Sequence, residues 1–219
     1  MKKMAPGILA VLAALAFGVW ALPELPEQVA THWGLDGHPD GWSSKTRAAI
    51  LLPSFGVGLG ILLGFLPRID PRRADFYLHA GTYWVIANAV LMFLAIIHSA
   101  VIGSALGWAV PLSRIIPIGI GILLLLIGNL MTRMRPNWFM GIRTPWTLSS
   151  DLSWRKTHRL AGYGFVLSGL LSIVAGIVRP EWAPWTLLTS LGAAGFGSVI
   201  YSWVVWRGEQ EGTRPEVHS

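Results

Sequence analysis

The sequence predicts an all-α integral membrane protein. It is read as six transmembrane helices, N-in and C-in, with a structured external loop and a long basic cytoplasmic loop. Three observations predict this. Of 219 residues, 53% are hydrophobic and only 13% charged, and mean hydropathy is +0.54, outside the usual range of soluble domains. The apolar residues gather into six runs without Asp, Glu, Lys or Arg, near 4–22, 48–66, 78–103, 115–131, 160–178 and 183–206. Each run is long enough for a helix to cross a hydrocarbon core of about 30 Å at about 1.5 Å per residue. Finally, with the N-terminus inside, thirteen of the 17 basic residues fall on cytoplasmic segments, leaving Lys45, Arg47, Arg114 and Arg179 outside.

That split explains the net charge of +6 as membrane orientation, and no direct nucleic-acid partner is expected. The lack of cysteine excludes disulfides, thiol catalysis and thiolate metal sites. All eleven acids lie outside the runs, so no carboxylate is available at membrane depth to couple transport to protons or sodium. Lys2-Lys3 followed by an apolar stretch and Val19-Trp20-Ala21 imitates a signal peptide. The run is already of spanning length, so it reads as an uncleaved first helix. Three regions follow: an N-terminal membrane half at 1–114, a core at 115–207, and a polar tail at 208–219 expected to be disordered.

Along the chain, the first loop (23–46) is punctuated by Pro and Gly too often for a long helix and predicts turns and short extended pieces. It carries a candidate external site of His32, Trp33, Asp36, His38, Asp40 and Trp42. His32, Asp36 and Asp40 supply donors suited to a divalent ion. The interleaved Gly34, Gly37, Pro39 and Gly41 equally make a turn-rich cap. In the second loop, Asp70-Pro71 reads as a helix stop and restart. His79, Asn88 and His98 are isolated polar residues in or near spans, expected to bond to neighbouring helices or backbone carbonyls. Seven tryptophans (20, 84, 108, 182, 185, 203 and 206) fall at the proposed membrane faces as an aromatic belt. The short segments 104–114 and 179–184 are simple external connections.

The fourth loop, 132–159, holds Arg133, Arg135, Arg143, Arg155, Lys156 and Arg159 with three tryptophans, far more chemistry than a linker needs. The candidate binding residues here are Asn129, Asn137, Arg143, Thr144, Trp146, Trp154, Arg155 and His158. Ser149 or Ser150 is a candidate N-cap for a helix on which Trp154 and His158, four apart, share a face. Such a segment suits either an interfacial helix on lipid phosphates or a docking surface with Arg and Trp anchors. Ser149, Ser153 and His158 are near one another, but no nucleophile elbow or third member of a hydrolase accompanies them.

Gly128-Asn129, Pro136-Asn137, the run Gly141-Ile142-Arg143-Thr144-Pro145-Trp146, and Trp154 with Lys156-Thr157-His158-Arg159 resemble, in order, the core pattern of the SdpI family of bacterial toxin-immunity membrane proteins. The first loop, with Leu25-Pro26, Thr31-His32-Trp33, Gly37, Pro39-Asp40 and Lys45, is similar to an N-terminal segment of unassigned function often joined to that core. The resemblance implies a six-span protein of the bacterial inner membrane. It would give resistance to a secreted antimicrobial peptide toxin, with a cytoplasmic transcriptional repressor as a further partner held at the membrane. It implies no catalytic residues and no cofactor. The alternative class is a membrane-embedded metal-dependent enzyme or a lipid-handling or transport protein acting through the His/Asp cluster or the Arg-rich loop.

Overall fold

A computed structural model describes residues 2–69 and 80–212. Its main helices are α1 (Ala5–Ala21), α2 (Lys45–Ile69), α3 (Ala80–Ala105), α4 (Leu112–Met131), the short α5 (Pro145–Ser149), α6 (Asp151–Val178) and α7 (Ala183–Gly212). Among the described residues, six helices are long and apolar enough to cross a membrane. Helices close their own backbone hydrogen bonds, which is why apolar segments in hydrocarbon adopt them. Large apolar side chains cover their outer faces: Leu9, Ile61 and Phe196 are 63%, 61% and 77% exposed. This is the inverse of a soluble protein and the expected lipid-facing surface of a multi-pass membrane protein.

The structure departs from the expected boundaries in two places. α6 begins at Asp151, so residues 151–159 belong to a spanning helix and the loop proper is 132–150. The apolar run could not reveal this, because Arg155, Lys156 and Arg159 point outward from the same turns that bury Trp154 and His158. α7 continues through 208–212, where Arg207 pairs with Glu211 one turn on; residues 213–219 of the expected tail lie outside the described residues. The Asp70-Pro71 break and His79 also lie outside them.

The first loop folds as an antiparallel hairpin of β1 (Gln28–Trp33) and β2 (Pro39–Ser44), so the short extended pieces expected there pair with one another. Gly37 closes its turn at φ +78°. Asp36 Oδ1 accepts from the His38 amide at 3.0 Å. The hairpin sits on one end of the bundle through Leu25 and Val29, which are buried with Ala21, Ala48, Ala49 and Ile102.

The helices pack as two groups of three, α1–α2–α3 and α4–α6–α7. In the first group, Asn88 ties α3 to the start of α1. Its Oδ1 accepts from Gly7 N at 2.8 Å, and its Nδ2 donates to Lys3 O and Trp84 O. Met4, at the N-cap position, offers no side-chain cap. Asn88 therefore satisfies an amide that the helix itself leaves open. His98 on α3 is 2% exposed, buried against α1 beside Gly18. Asn88 meets the expectation of a bond to a neighbouring helix.

In the second group, α4 and α6 run antiparallel at backbone contact. Gly121 and Gly128 on α4 face Gly169 and Gly162 on α6, each pair spaced by seven residues. A Cβ at Gly121 would lie 2.6 Å from Gly169 O, and one at Gly128 would lie 2.7 Å from Gly162 O. Gly176, another seven residues on, meets Pro117, and Ser172 Oγ donates to Pro117 O at 2.8 Å. Small residues at such a crossing let the two backbones approach, the packing favoured where lipid supplies no hydrophobic drive. Gly128→Leu or Gly169→Leu is expected to lower the melting temperature in detergent by at least roughly 5 °C, as overpacked cores do. Gly192→Leu, at a position with open space around it, should be silent; equal losses in all three variants would show that the seam carries no special weight.

Candidate functional site

The chemistry-rich end of the bundle lies opposite the hairpin, where loop 132–150 folds back on the first turns of α6. Asn137 starts it. Its buried Oδ1 accepts from Phe139 N at 3.0 Å and Met140 N at 2.7 Å, while Nδ2 donates to Arg135 O. This side-chain turn delivers the chain to Gly141, whose φ of +100° is open to glycine but costly for other residues. A Cβ there would also lie 2.3 Å from His158 Nε2. The close approach lets the next amide, Ile142 N, donate to His158 Nε2 at 3.0 Å.

That bond assigns the imidazole. Nε2 accepts, so Nδ1 carries the proton and donates to Trp154 O at 2.9 Å. Trp154 stacks on His158 with ring centroids 4.0 Å apart, and its Nε1 donates to Met134 O at 2.9 Å. Trp154 and His158 are 0% and 1% exposed. The predicted shared face is present, but it points inward and clamps the loop rather than offering itself to lipid or a partner.

Thr144 begins α5 with a reciprocal capping box: its hydroxyl accepts from Thr147 N, and Thr147 Oγ1 accepts from Thr144 N at 2.9 Å. Thr147 Oγ1 also donates to Ile142 O at 2.8 Å. Ser150, one of the two expected caps, begins α6 by accepting from Ser153 N at 3.0 Å, and its hydroxyl donates to Glu209 on α7. Ser202 on α7 completes the seam: Ser153 Oγ donates to Ser202 O at 2.9 Å, and the Thr144 and Ser202 hydroxyls lie 3.2 Å apart. Loop, α6 and α7 form one hydrogen-bonded knot.

The remaining candidates surround it. Arg143 is exposed and spends one guanidinium N–H on Trp138 O at 2.7 Å, holding the loop's outer turn. Trp146 is half-buried, and Arg155, Lys156 and Arg159 are exposed on α6. The side chain of Asn129 is exposed and stands outside the knot. Gly141, Thr147, Ser150 and Ser202 were not singled out from the sequence as site residues. Gly141 had a signal, as the glycine between two bulky runs; Ser202 had none, being 58 residues from its partner Thr144.

At the hairpin end, His32 Nδ1 and Asp40 Oδ1 are 2.5 Å apart, both largely exposed, and Asp36 is occupied by its own turn. His38 is exposed, Trp42 is 58% exposed, and Trp33 is half-buried against the bundle. Among the described residues, no three His, Asp or Glu side chains converge as a metal-binding group.

Two variants test the knot. Removing an acceptor from a buried amide costs about 1–3 kcal/mol, so His158→Ala should melt several degrees lower and expose the Arg133–Met134 bond to faster trypsin cleavage. Gly141→Ala, at a strained φ and against the imidazole, should behave alike. Unchanged proteolysis in both would show that the loop is held by other contacts.

Residues 133–202 match the SdpI/YfhL protein family, and residues 9–57 match a domain of unknown function (DUF1648). The chain is 26% identical over 185 residues to the immunity protein SdpI of Bacillus subtilis (strain 168), across 83% of this chain and 85% of that protein. No solved structure matches. The first match, from Arg133 to Ser202, spans the His158 clamp and the Ser202 seam, while Glu209 of the knot lies beyond it. The resemblance read from the residues is thus met at both ends of the chain, and this is a multi-pass membrane protein whose residues 133–202 match the SdpI/YfhL family.

Proposed function

We propose that this chain is an immunity and signalling module of the bacterial inner membrane, protecting its host from a secreted antimicrobial peptide. The observation that carries the reading is the coincidence of the family match with the knot: residues 133–202 enclose the loop, its His158 clamp and the Ser202 seam. The name of the relative, an immunity protein, supplies the class. In this reading the module binds and does not catalyse.

The basic asymmetry of the sequence supports N-in, C-in orientation, with the hairpin outside and the knot in the cytoplasm. The 1–114 half then carries the outer surface, where His32, Trp33, His38, Asp40 and Trp42 stand ready to meet a toxin. The 115–207 core carries the inner surface. There the buried pair Trp154 and His158, with Asn137 and Thr144, shapes a loop whose exposed Arg143, Arg155 and Trp146 meet a cytoplasmic partner, a transcriptional repressor being the one implied by the family.

Orientation is tested by single cysteines at Ser43 and Ser149 in this cysteine-free chain. Ser43→Cys should react with an impermeant maleimide in intact cells, and Ser149→Cys only after lysis. External labelling of Ser149→Cys would reverse the assignment.

The inner surface is tested at Arg143. Its guanidinium donates to Trp138 O, and its planar fork leaves further donors for an acceptor on a partner, a geometry that lysine does not reproduce. Arg143→Lys should insert and accumulate normally yet lose most protection when cells are grown beside a toxin-secreting strain. A normally accumulated Arg143→Lys protein with full protection would leave the residue as a lipid-phosphate anchor only.

A further inference from the structure

A cavity of about 560 Å³ lies beneath the hairpin, between α2 and α3. Its two ends differ in chemistry. At the hairpin, Thr31 and Ser43 hydroxyls stand 3.1 Å apart beside Arg47. Arg47 is exposed at the rim, and among the described residues no acid pairs with it. Buried His98 also lines the wall, and its Nε2 has no hydrogen-bond partner among the described residues. Away from the hairpin the lining is Leu51, Leu52, Phe55 and Ile97. Leu51 and Phe55 are 62% and 58% exposed on the lipid-facing side of α2, so the cavity opens sideways into the bilayer.

We propose that this cavity binds one acyl chain bearing an anionic head, a single-chain anionic lipid entering from the membrane. Its head meets Arg47 and the two hydroxyls, and its chain lies along Leu51 and Phe55. The polar-to-apolar gradient matches such an amphiphile in the orientation the bilayer imposes on it. The volume falls within the roughly 300–1,000 Å³ of small-molecule sites. A helix about 10–12 Å across fills such a space with only about one turn, so a helical peptide is a poor occupant. The cation without a partner supplies the charge complement. The proposal is independent of the immunity reading, since it concerns the hairpin end and a lipid rather than a toxin.

The test uses the full chain in phosphatidylcholine vesicles with a palmitic acid analogue carrying a terminal diazirine, photolysed and mapped by mass spectrometry. Labelling is expected to saturate and to concentrate at 51–55 and 97–101. It should be lost in Leu52→Trp, which fills the cavity, and kept in Leu62→Trp, at an exposed position on the same helix. Arg47→Gln should weaken labelling by the acid about fivefold, the upper range for one exposed ion pair, and leave the methyl ester unaffected. Arg47 is exposed, so this variant tests the head contact even where a filled cavity fails to fold. The proposal is overturned by labelling spread evenly over lipid-facing residues such as Phe196, by equal behaviour of acid and ester, or by undiminished labelling of a folded Leu52→Trp protein. Displacement of the probe by an apolar helical peptide but not by oleate would also overturn it.

Discussion

The backbone contact between α4 and α6 is the constraint on which the rest of the core depends. In lipid, two apolar helices gain little from hiding apolar surface from each other, so their affinity comes from close packing over many atoms. Glycines at 121, 128, 162 and 169 permit that approach. Because the two helices are antiparallel, the seam brings the C-terminal end of α4 beside the first turns of α6. The loop between them must therefore turn back over Trp154 and His158, and its fold follows from where its two ends are held.

Within the loop, satisfaction of backbone polar groups decides the path. Amides at 139, 140 and 142 and carbonyls at 134, 135, 138 and 142 all have side-chain partners. A segment of irregular backbone beside a membrane core survives when its polar groups are paired in this way. The side chains with the most chemical character in this region, Trp154 and His158, are consumed in doing so. What remains for partners is a rigid outer face rich in Arg and Trp.

The two helix groups are joined at both ends by loops that cross between them. Met140, from the loop of the second group, packs against the cluster of Met4, Tyr83 and Leu91 in the first. At the other end, Trp33 and Leu35 of the hairpin line a cavity of about 200 Å³ with Leu112, Pro117 and Ala183 of the second group. Each half thus sends one loop to the other. A displacement of the hairpin would act on both groups at once, as the signalling role proposed above requires.

Much of the fold was legible in the residues themselves, because spans are written in a local property. Six charge-free runs, the bonding of Asn88, a capping serine at the head of α6 and the Trp154–His158 face all follow from composition, propensity and helical spacing within a few residues. The glycine spacing of seven was equally present in the sequence, though it takes a partner helix at the right depth to give it meaning. Tertiary structure decided the rest. Whether Trp154 faces lipid, partner or interior depends on what packs over α6, and the answer comes from Gly141, Ile142 and Met134, residues 12 to 20 positions away. Arg143, Thr144 and His158 read alike from the sequence as candidate ligands. Only the packing separates the buried clamp from the exposed surface, because a side chain's availability is set by its neighbours in space and not by its neighbours in the chain.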